Sequence, residues 1–243
     1  MALLNVVRLD VVVAHYSTDA HPEPLDWLVQ LHKVRPDARI YVYYKGDVPC
    51  IPEGVRVHAV CQLPNVGRES HTYLHHILQH YYATDSTDGT ESMAQNTLFT
   101  QGAPLEHRPA RELYGEFLAG SPSGLYPPTP GAWFAPTWKN GNVDVGIGTD
   151  VGIGTDVGIG TDGGIGTDVG IGIGHWWGRV FEKHEPFPGR LLVIWAAIFN
   201  VSRDRILRRP RAFYERAIAT VAHDVNPEEG HYFERSWGNV FGA

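Results

Sequence analysis

The sequence predicts an α/β protein: a mostly parallel sheet with helices on both faces. Three observations carry this expectation. Residues 9–16, LDVVVAHY, are an unbroken run rich in β-branched side chains, the pattern of a central strand buried on both sides. Over the first hundred residues, strand-like and helix-like segments follow the order β-α-β-β-α-β, which calls for crossover connections. Residues 64–82, PNVGRESHTYLHHILQHYY, set a polar glycine turn at the mouth of an amphipathic helix.

Each element has its own signal. After the first strand, STDAHPEP reads as a loop, and Leu25, Trp27, Leu28 and Leu31 mark a helix of two to three turns. ARIYVYYKG (38–46) is a second strand in which Ile40, Val42 and Tyr44 alternate with Tyr41 and Tyr43, and Lys45-Gly46-Asp47 is its turn. VRVHAVCQL (55–63) is a third strand, closed by Pro64. Asn65 and Gly67 form a tight turn, with Gly67 free to take a positive φ. Tyr73, Leu74, Ile77, Leu78, Tyr81 and Tyr82 then recur at helical spacing. A polar link, TDSTDGTES (84–92), leads to a fourth strand, NTLFTQG (96–102).

Residues 103–141 are proline-rich, with a short helix candidate at 110–120 and three aromatics in GAWFAPTWKNG that either line a groove or cover the sheet. Residues 145–174 repeat a six-residue unit, VGIGTD. Left-handed β-helices use hexapeptides, but this tract supplies under two coils; calcium-binding β-rolls use nine residues, not six. The reading adopted is a repeat expansion in a tolerant surface loop, so the chain is expected to be one domain, 1–243, with a low-complexity insertion at 142–174. Beyond it, LLVIWAAIFNVS (191–202) reads as a strand into a turn. ILRRPRAFYERAIATVAHD (206–224) reads as a helix, with Pro210 either in its first turn or splitting off a leading one. HYFERSWGNVFG (231–242) closes the chain as a helix with Tyr232, Phe233, Trp237 and Phe241 on one face.

Composition narrows the function. With 243 residues and a net charge of −7, and with no basic stripe, the chain does not read as a nucleic-acid binder. Arg203, Arg205, Arg208, Arg209 and Arg211 cluster locally, either as a solvated helix start or as an anionic-ligand contact. The start, MALLNVVRLDVVVAHY, is interrupted by Arg8 and Asp10 and lacks a basic leader, so it reads as a first strand rather than a signal peptide. With no run long enough to span a membrane, the expectation is a soluble, cytoplasmic protein. Cys50 and Cys61 have no metal-ligand spacing and read as two reduced thiols.

The candidate site is the mouth of the central helix. Unpaired N–H groups and the positive dipole end meet a sheet edge there, where phosphate-bearing ligands sit in α/β proteins. Arg68, Glu69, Ser70 and His71 crowd that mouth, and His71 reads as a hydrogen-bonding ligand contact. His71 and His75 stand four apart, as a metal pair does, but no third ligand can be named, so no metal site is assigned. His75, His76 and His80 read as surface residues. No Walker loop, GxGxxG or GxSxG elbow occurs, and Ser70 beside Glu69 and His71 does not make a triad, which is a spatial arrangement. Glu69, Glu106, Asp204 and Glu234 are the candidate acid/base carboxylates. Glu234 lies among aromatics in HYFER, and serves either as a general base of raised pKa or as an ion-pair partner of Arg235 or another arginine.

Four blocks together carry a resemblance: VVVAHY with LDWL; YVYYKG; PNVGRESHTYLHHI with TLFTQG; and FNVSRDRILRRPRAFYERA with HYFERSWGNVFG. In order and composition they resemble the uncharacterised domain-of-unknown-function family 3431, itself distantly similar to GT-A glycosyltransferases. The resemblance covers roughly two thirds of the chain and leaves out the repeat. It implies a GT-A-like, Rossmann-type sheet and a glycosyltransferase-like protein that binds a nucleotide sugar. His15 with its neighbours Ala14 and Tyr16, then Asn65, Gly67, Arg68 and Glu69, would contact the donor. Gln101 would sit at the diphosphate, and Glu234 would deprotonate the acceptor hydroxyl. The DxD of GT-A glycosyltransferases has no counterpart: Thr100-Gln101-Gly102 stands in its place and no DxD occurs in the chain. A hard divalent cation then lacks its usual carboxylates. Transfer would be metal-independent, with Arg68 or the 203–211 arginines stabilising the diphosphate. The alternative implied is a non-catalytic nucleotide- or carbohydrate-binding protein on the same fold.

Overall fold

The structure, a computed structural model, describes residues 8–18, 20–81, 92–106, 142–144, 172–182, 185–188, 190–192 and 197–242. Its centre is a sheet of five strands: β1 (Leu9–Ser17), β2 (Arg39–Gly46), β3 (Ala59–Gln62), β4 (Asn96–Gln101) and β7 (Phe199–Ser202). Their order is β3-β2-β1-β4-β7; the first four run parallel, and β7 pairs antiparallel with β4. Six helical segments accompany the sheet among the described residues besides a short turn of 3-10 helix at Pro104–Glu106: α1 (Trp27–Val34), α2 (Arg68–His80), α3 (Ile173–Val180), α4 (Arg203–Ile206), α5 (Arg211–Ala219) and α6 (Glu228–Val240). A separate antiparallel pair joins β5 (Asn142–Asp144) to β6 (Arg190–Leu192).

The two faces of the sheet are read directly from strand alternation. Val11, Val13, Ile40, Val42 and Leu98 point to one side, where Leu25, Trp27, Leu28 and Leu31 of the α1 region cover them. Val12, Tyr41, Tyr43 and Phe99 point to the other, against α2 and α6. There Tyr73 of α2 packs 4.9 Å from Phe99, and Trp237 of α6 lies 5.3 Å from Phe199, centroid to centroid. The aromatic face expected of the closing helix is the one that is buried.

At the amino edge of the sheet Asp10 is fully buried and takes a two-pronged ion pair from Arg39, at 2.7 and 2.9 Å, together with the amide of Ala94 at 2.8 Å. Asp10, one of the two charges that interrupt the apolar start, thus clasps β1 to the ends of its neighbours.

Several sequence expectations are corrected. The third strand shortens to Ala59–Gln62, because as an edge strand it pairs only with Tyr41–Tyr44. The long apolar run near 191–202 is two strands in different sheets, β6 and β7. Pro210 splits off a leading turn: α4 precedes it and α5 begins after it. Three of the five clustered arginines serve helix ends. Arg205 donates to the carbonyls of Phe241 and Gly242, Arg209 to those of Asn239 and Val240, and Arg211 to that of Leu78. Cations satisfy orphan carbonyls at the C-terminal ends of α6 and α2, which is where the helix dipole favours them. His76, expected at the surface, is fully buried, with Nδ1 3.0 Å from the Tyr43 hydroxyl. The strand beneath α2 offers tyrosines rather than aliphatics, so a polar helix face can pack on it. Cys50 and Cys61 are both exposed free thiols. No helix among the described residues is long and apolar enough to cross a membrane. The helix candidate at 110–120, the aromatics of GAWFAPTWKNG and repeat residues 145–171 lie outside the described residues.

Candidate functional site

Strand β1 is the point where the winding of the sheet reverses. The chain goes from β1 outward to β2 and β3 on one side, then crosses back through α2 to β4 on the other. The loops at the carboxyl ends of β1 and β4 therefore part and leave a crevice, the usual ligand position in open α/β sheets. A cavity of about 350 Å³ occupies it, within the roughly 300–1,000 Å³ of ligand pockets.

The end of β1 supplies Ala14, His15 and Tyr16 to the cavity wall, β4 supplies Gln101, and β2 supplies Lys45. The turn before α2 and its first helical residues supply Asn65, Arg68, Glu69 and Thr72. Glu23, from the loop after β1, and Val225 with Asn226, from the loop before α6, complete the wall.

The glycine turn is built tightly. Gly67 has φ +62°, and a Cβ there would lie 2.5 Å from the Val221 carbonyl oxygen. Its amide donates to the carbonyl of Asp224 at 2.8 Å, tying the turn to the segment before α6. Arg68 follows at φ +48°, a left-handed conformation unusual for a residue with a Cβ. Lys45 straps this turn: its ammonium donates to the carbonyls of Val66 and Arg68. Burial pushes the Lys45 pKa down to about 8, and the nearby Glu69 carboxylate opposes that shift. The Arg68 guanidinium lies 3.6 Å from Glu69, and its Nη1 is 3.2 Å from both ring nitrogens of His231 on α6. Burial, with Arg68 and Arg235 nearby, pushes His231 down to about 4, so the ring stays neutral and can accept from the guanidinium.

The predicted site residues divide. His15, Asn65, Arg68, Glu69 and Gln101 all line the one cavity. Gly67 and His71 lie behind the wall: Gly67 shapes the turn, and His71 is buried on α2 with its ring stacked on His75. Burial and Lys45 push His71 down to about 4. Glu234 does not line the cavity; its carboxylate is 4.0 Å from His231 Nδ1, two residues removed from the cavity through His231 and Arg68. Its helical phase explains this. His231 sits one turn earlier on α6, at the end nearer α2, and takes the position facing Arg68.

Lys45 and Glu23 were not singled out from the sequence. Lys45 closes a strand in a common turn tripeptide, and Glu23 sits in a polar loop; neither carries a motif. The available signal was position alone, since Lys45 ends β2 and Glu23 follows β1 at the carboxyl edge of the sheet. No group of histidine, cysteine or carboxylate side chains suited to a metal occurs among the described residues. No family model, curated protein or solved structure matches the chain.

Proposed function

We propose that this chain is a glycosyltransferase-like protein that binds a nucleotide sugar in the cavity at the carboxyl edge of the sheet. One observation carries the reading: the ends of β1 and β4 and the first turn of α2 converge on a single cavity with Lys45 and Arg68 on its wall. A diphosphate suits such a wall. A helix N-terminus and two cations supply directed donors and positive potential in a partly desolvated place. In transfer, the acceptor hydroxyl oxygen bonds the anomeric carbon as the bond from that carbon to the diphosphate oxygen breaks; the diphosphate leaves with the electron pair and takes up the hydroxyl proton. Lys45 and Arg68 supply its counter-charge, which answers the lack of a DxD in the sequence.

A second reading is a non-catalytic nucleotide- or carbohydrate-binding protein on the same fold. It is favoured by the place of Glu234, the intended base, off the cavity wall. Calorimetry with UDP, GDP, UDP-glucose and GDP-mannose, with and without Mn²⁺, tests both readings. Saturable binding is expected, and Arg68→Ala should weaken it roughly tenfold, the scale of one charge-assisted hydrogen bond. If none of the four ligands binds, both readings fail. Release of nucleoside diphosphate in a turnover assay then separates the enzyme from the binder.

A further inference from the structure

We propose that Glu23, held in place by His15 and the Tyr16 amide, takes a vicinal diol of the ligand, so that the cavity selects a molecule with an anionic end and a hydroxylated end. The inference deepens the reading of the cavity as a nucleotide-sugar site and rests on it.

Glu23 is held firmly by one oxygen. Its Oε2 accepts the Tyr16 amide at 3.1 Å and lies 3.0 Å from His15 Nδ1. The Glu23 amide in turn donates to the Ser17 hydroxyl at 3.2 Å, fixing the loop against the end of β1. The neighbouring strand end makes room for this pair. A Cβ at Gly102 would lie 1.9 Å from Glu23 Oε2 and 2.9 Å from His15 Nδ1, so no larger residue fits beside it. The Trp27 indole donates to the Gly102 carbonyl at 2.7 Å and keeps that backbone in place.

The other oxygen, Oε1, makes no hydrogen bond or ion pair among the described residues. The Glu23 side chain is 23% exposed and lines the cavity, whereas the His15 side chain is 1% exposed; its Nδ1 meets Glu23 as a close contact, and neither ring nitrogen makes an aligned hydrogen bond among the described residues. A buried imidazole beside a half-held carboxylate is costly unless it has work to do. Here it orients an acceptor toward the cavity; His15 is a positioning residue.

Charge sorts the ligand. A carboxylate repels phosphate and accepts from O–H donors, and the two lone pairs of the open Oε1 suit two adjacent hydroxyls. Lys45 and Arg68 on the same wall favour the anion. Ribose and the carried sugar both supply vicinal hydroxyls, and the test distinguishes them.

The full-length chain is titrated calorimetrically with inorganic pyrophosphate, the 2′-deoxy nucleoside diphosphate, the nucleoside diphosphate and its glycosylated form, in the uracil and guanine series. Glu23→Gln should weaken the hydroxyl-bearing ligands roughly tenfold and leave pyrophosphate within about twofold, because only a charge-assisted hydrogen bond is lost. If ribose is the partner, the variant no longer separates the ribo from the deoxy form. If the carried sugar is the partner, the loss appears in the glycosylated form alone. Gly102→Ala, which displaces the carboxylate and keeps its charge, should reproduce the pattern. Equal binding of every probe by Glu23→Gln and the parent overturns the proposal, as does an equal loss for all probes, pyrophosphate included. Absence of pyrophosphate and nucleotide binding by the parent chain overturns the site itself.

Discussion

Gly67 and Lys45 show how single residues make this site. At Gly67, a Cβ would have to enter space already held by the Val221 carbonyl and the His71 Cβ, 2.8 Å away, while φ stays at +62°. Gly67→Ala should therefore destabilise the fold by about 1–3 kcal/mol, the cost of strain at such a position. Chemical denaturation would report it as a lower midpoint with an unchanged slope. Lys45 acts by charge. Its pKa of about 8 lies below that of an ordinary lysine because burial disfavours the ammonium. Raising the pH through about 8 removes that charge, so affinity for pyrophosphate should fall across this range. Lys45→Met should bind pyrophosphate weakly and show no such fall. A flat titration of the parent chain between about pH 7 and 9 would rule out a role for the Lys45 charge.

At the scale of elements, α2 combines two jobs. Its first turn opens on the cavity, and its histidine face packs on β2. His76 sits 4.8 Å from Tyr41 and 4.4 Å from His80, centroid to centroid. Burial holds His71 near pKa 4 and His76 well below its ordinary value. The folded pKa is thus lower than the unfolded value of about 6.5, so the unfolded chain binds protons first as the pH falls. Stability is full above about pH 6.5 and is lost as the pH falls from there toward about 4. Each proton taken up on unfolding contributes a slope of about 1.4 kcal/mol per pH unit. His76→Phe should flatten the decline of the melting temperature over that window. An equally steep decline in the variant would place the acid sensitivity elsewhere. The misreading of His76 as a surface residue has a physical source: helical periodicity separates apolar from polar faces, but not a polar face packed on tyrosines from one facing water.

For the whole molecule, the sheet separates stability from recognition along its strands. The clasp of Asp10 and Arg39 lies at the amino edge, and the cavity lies at the carboxyl edge. Asp10→Ala removes the carboxylate that Arg39 and the Ala94 amide share, leaving Arg39 its bond to the Ser92 carbonyl, and should cost about 3–5 kcal/mol, the usual penalty for breaking a buried pair. Nucleotide affinity, measured well below the new melting temperature, should stay unchanged; a matching loss of affinity would mean that the edges are coupled. A mostly parallel sheet with interleaved helices was legible in the chain. LDVVVAHY centres on an unbroken β-branched run, YVYYKG alternates, and the PNVGR turn announces a helix, so a buried parallel sheet with a helix mouth beside it follows from local patterns. These patterns also singled out Arg68 and Glu69 at the helix mouth, while the family resemblance pointed to His15, Asn65 and Gln101; all five stand at element ends and line the cavity. What only the tertiary structure decided was the company those residues keep. Lys45, Glu23 and the displacement of Glu234 by His231 depend on which element ends meet across the switch point, and the 203–211 arginines on which helix termini they reach. Local periodicity fixes which face of an element is buried, because it depends on neighbours in the chain. Side-chain pairing across long separations depends on the packing of whole elements, and no stretch of sequence records that alone.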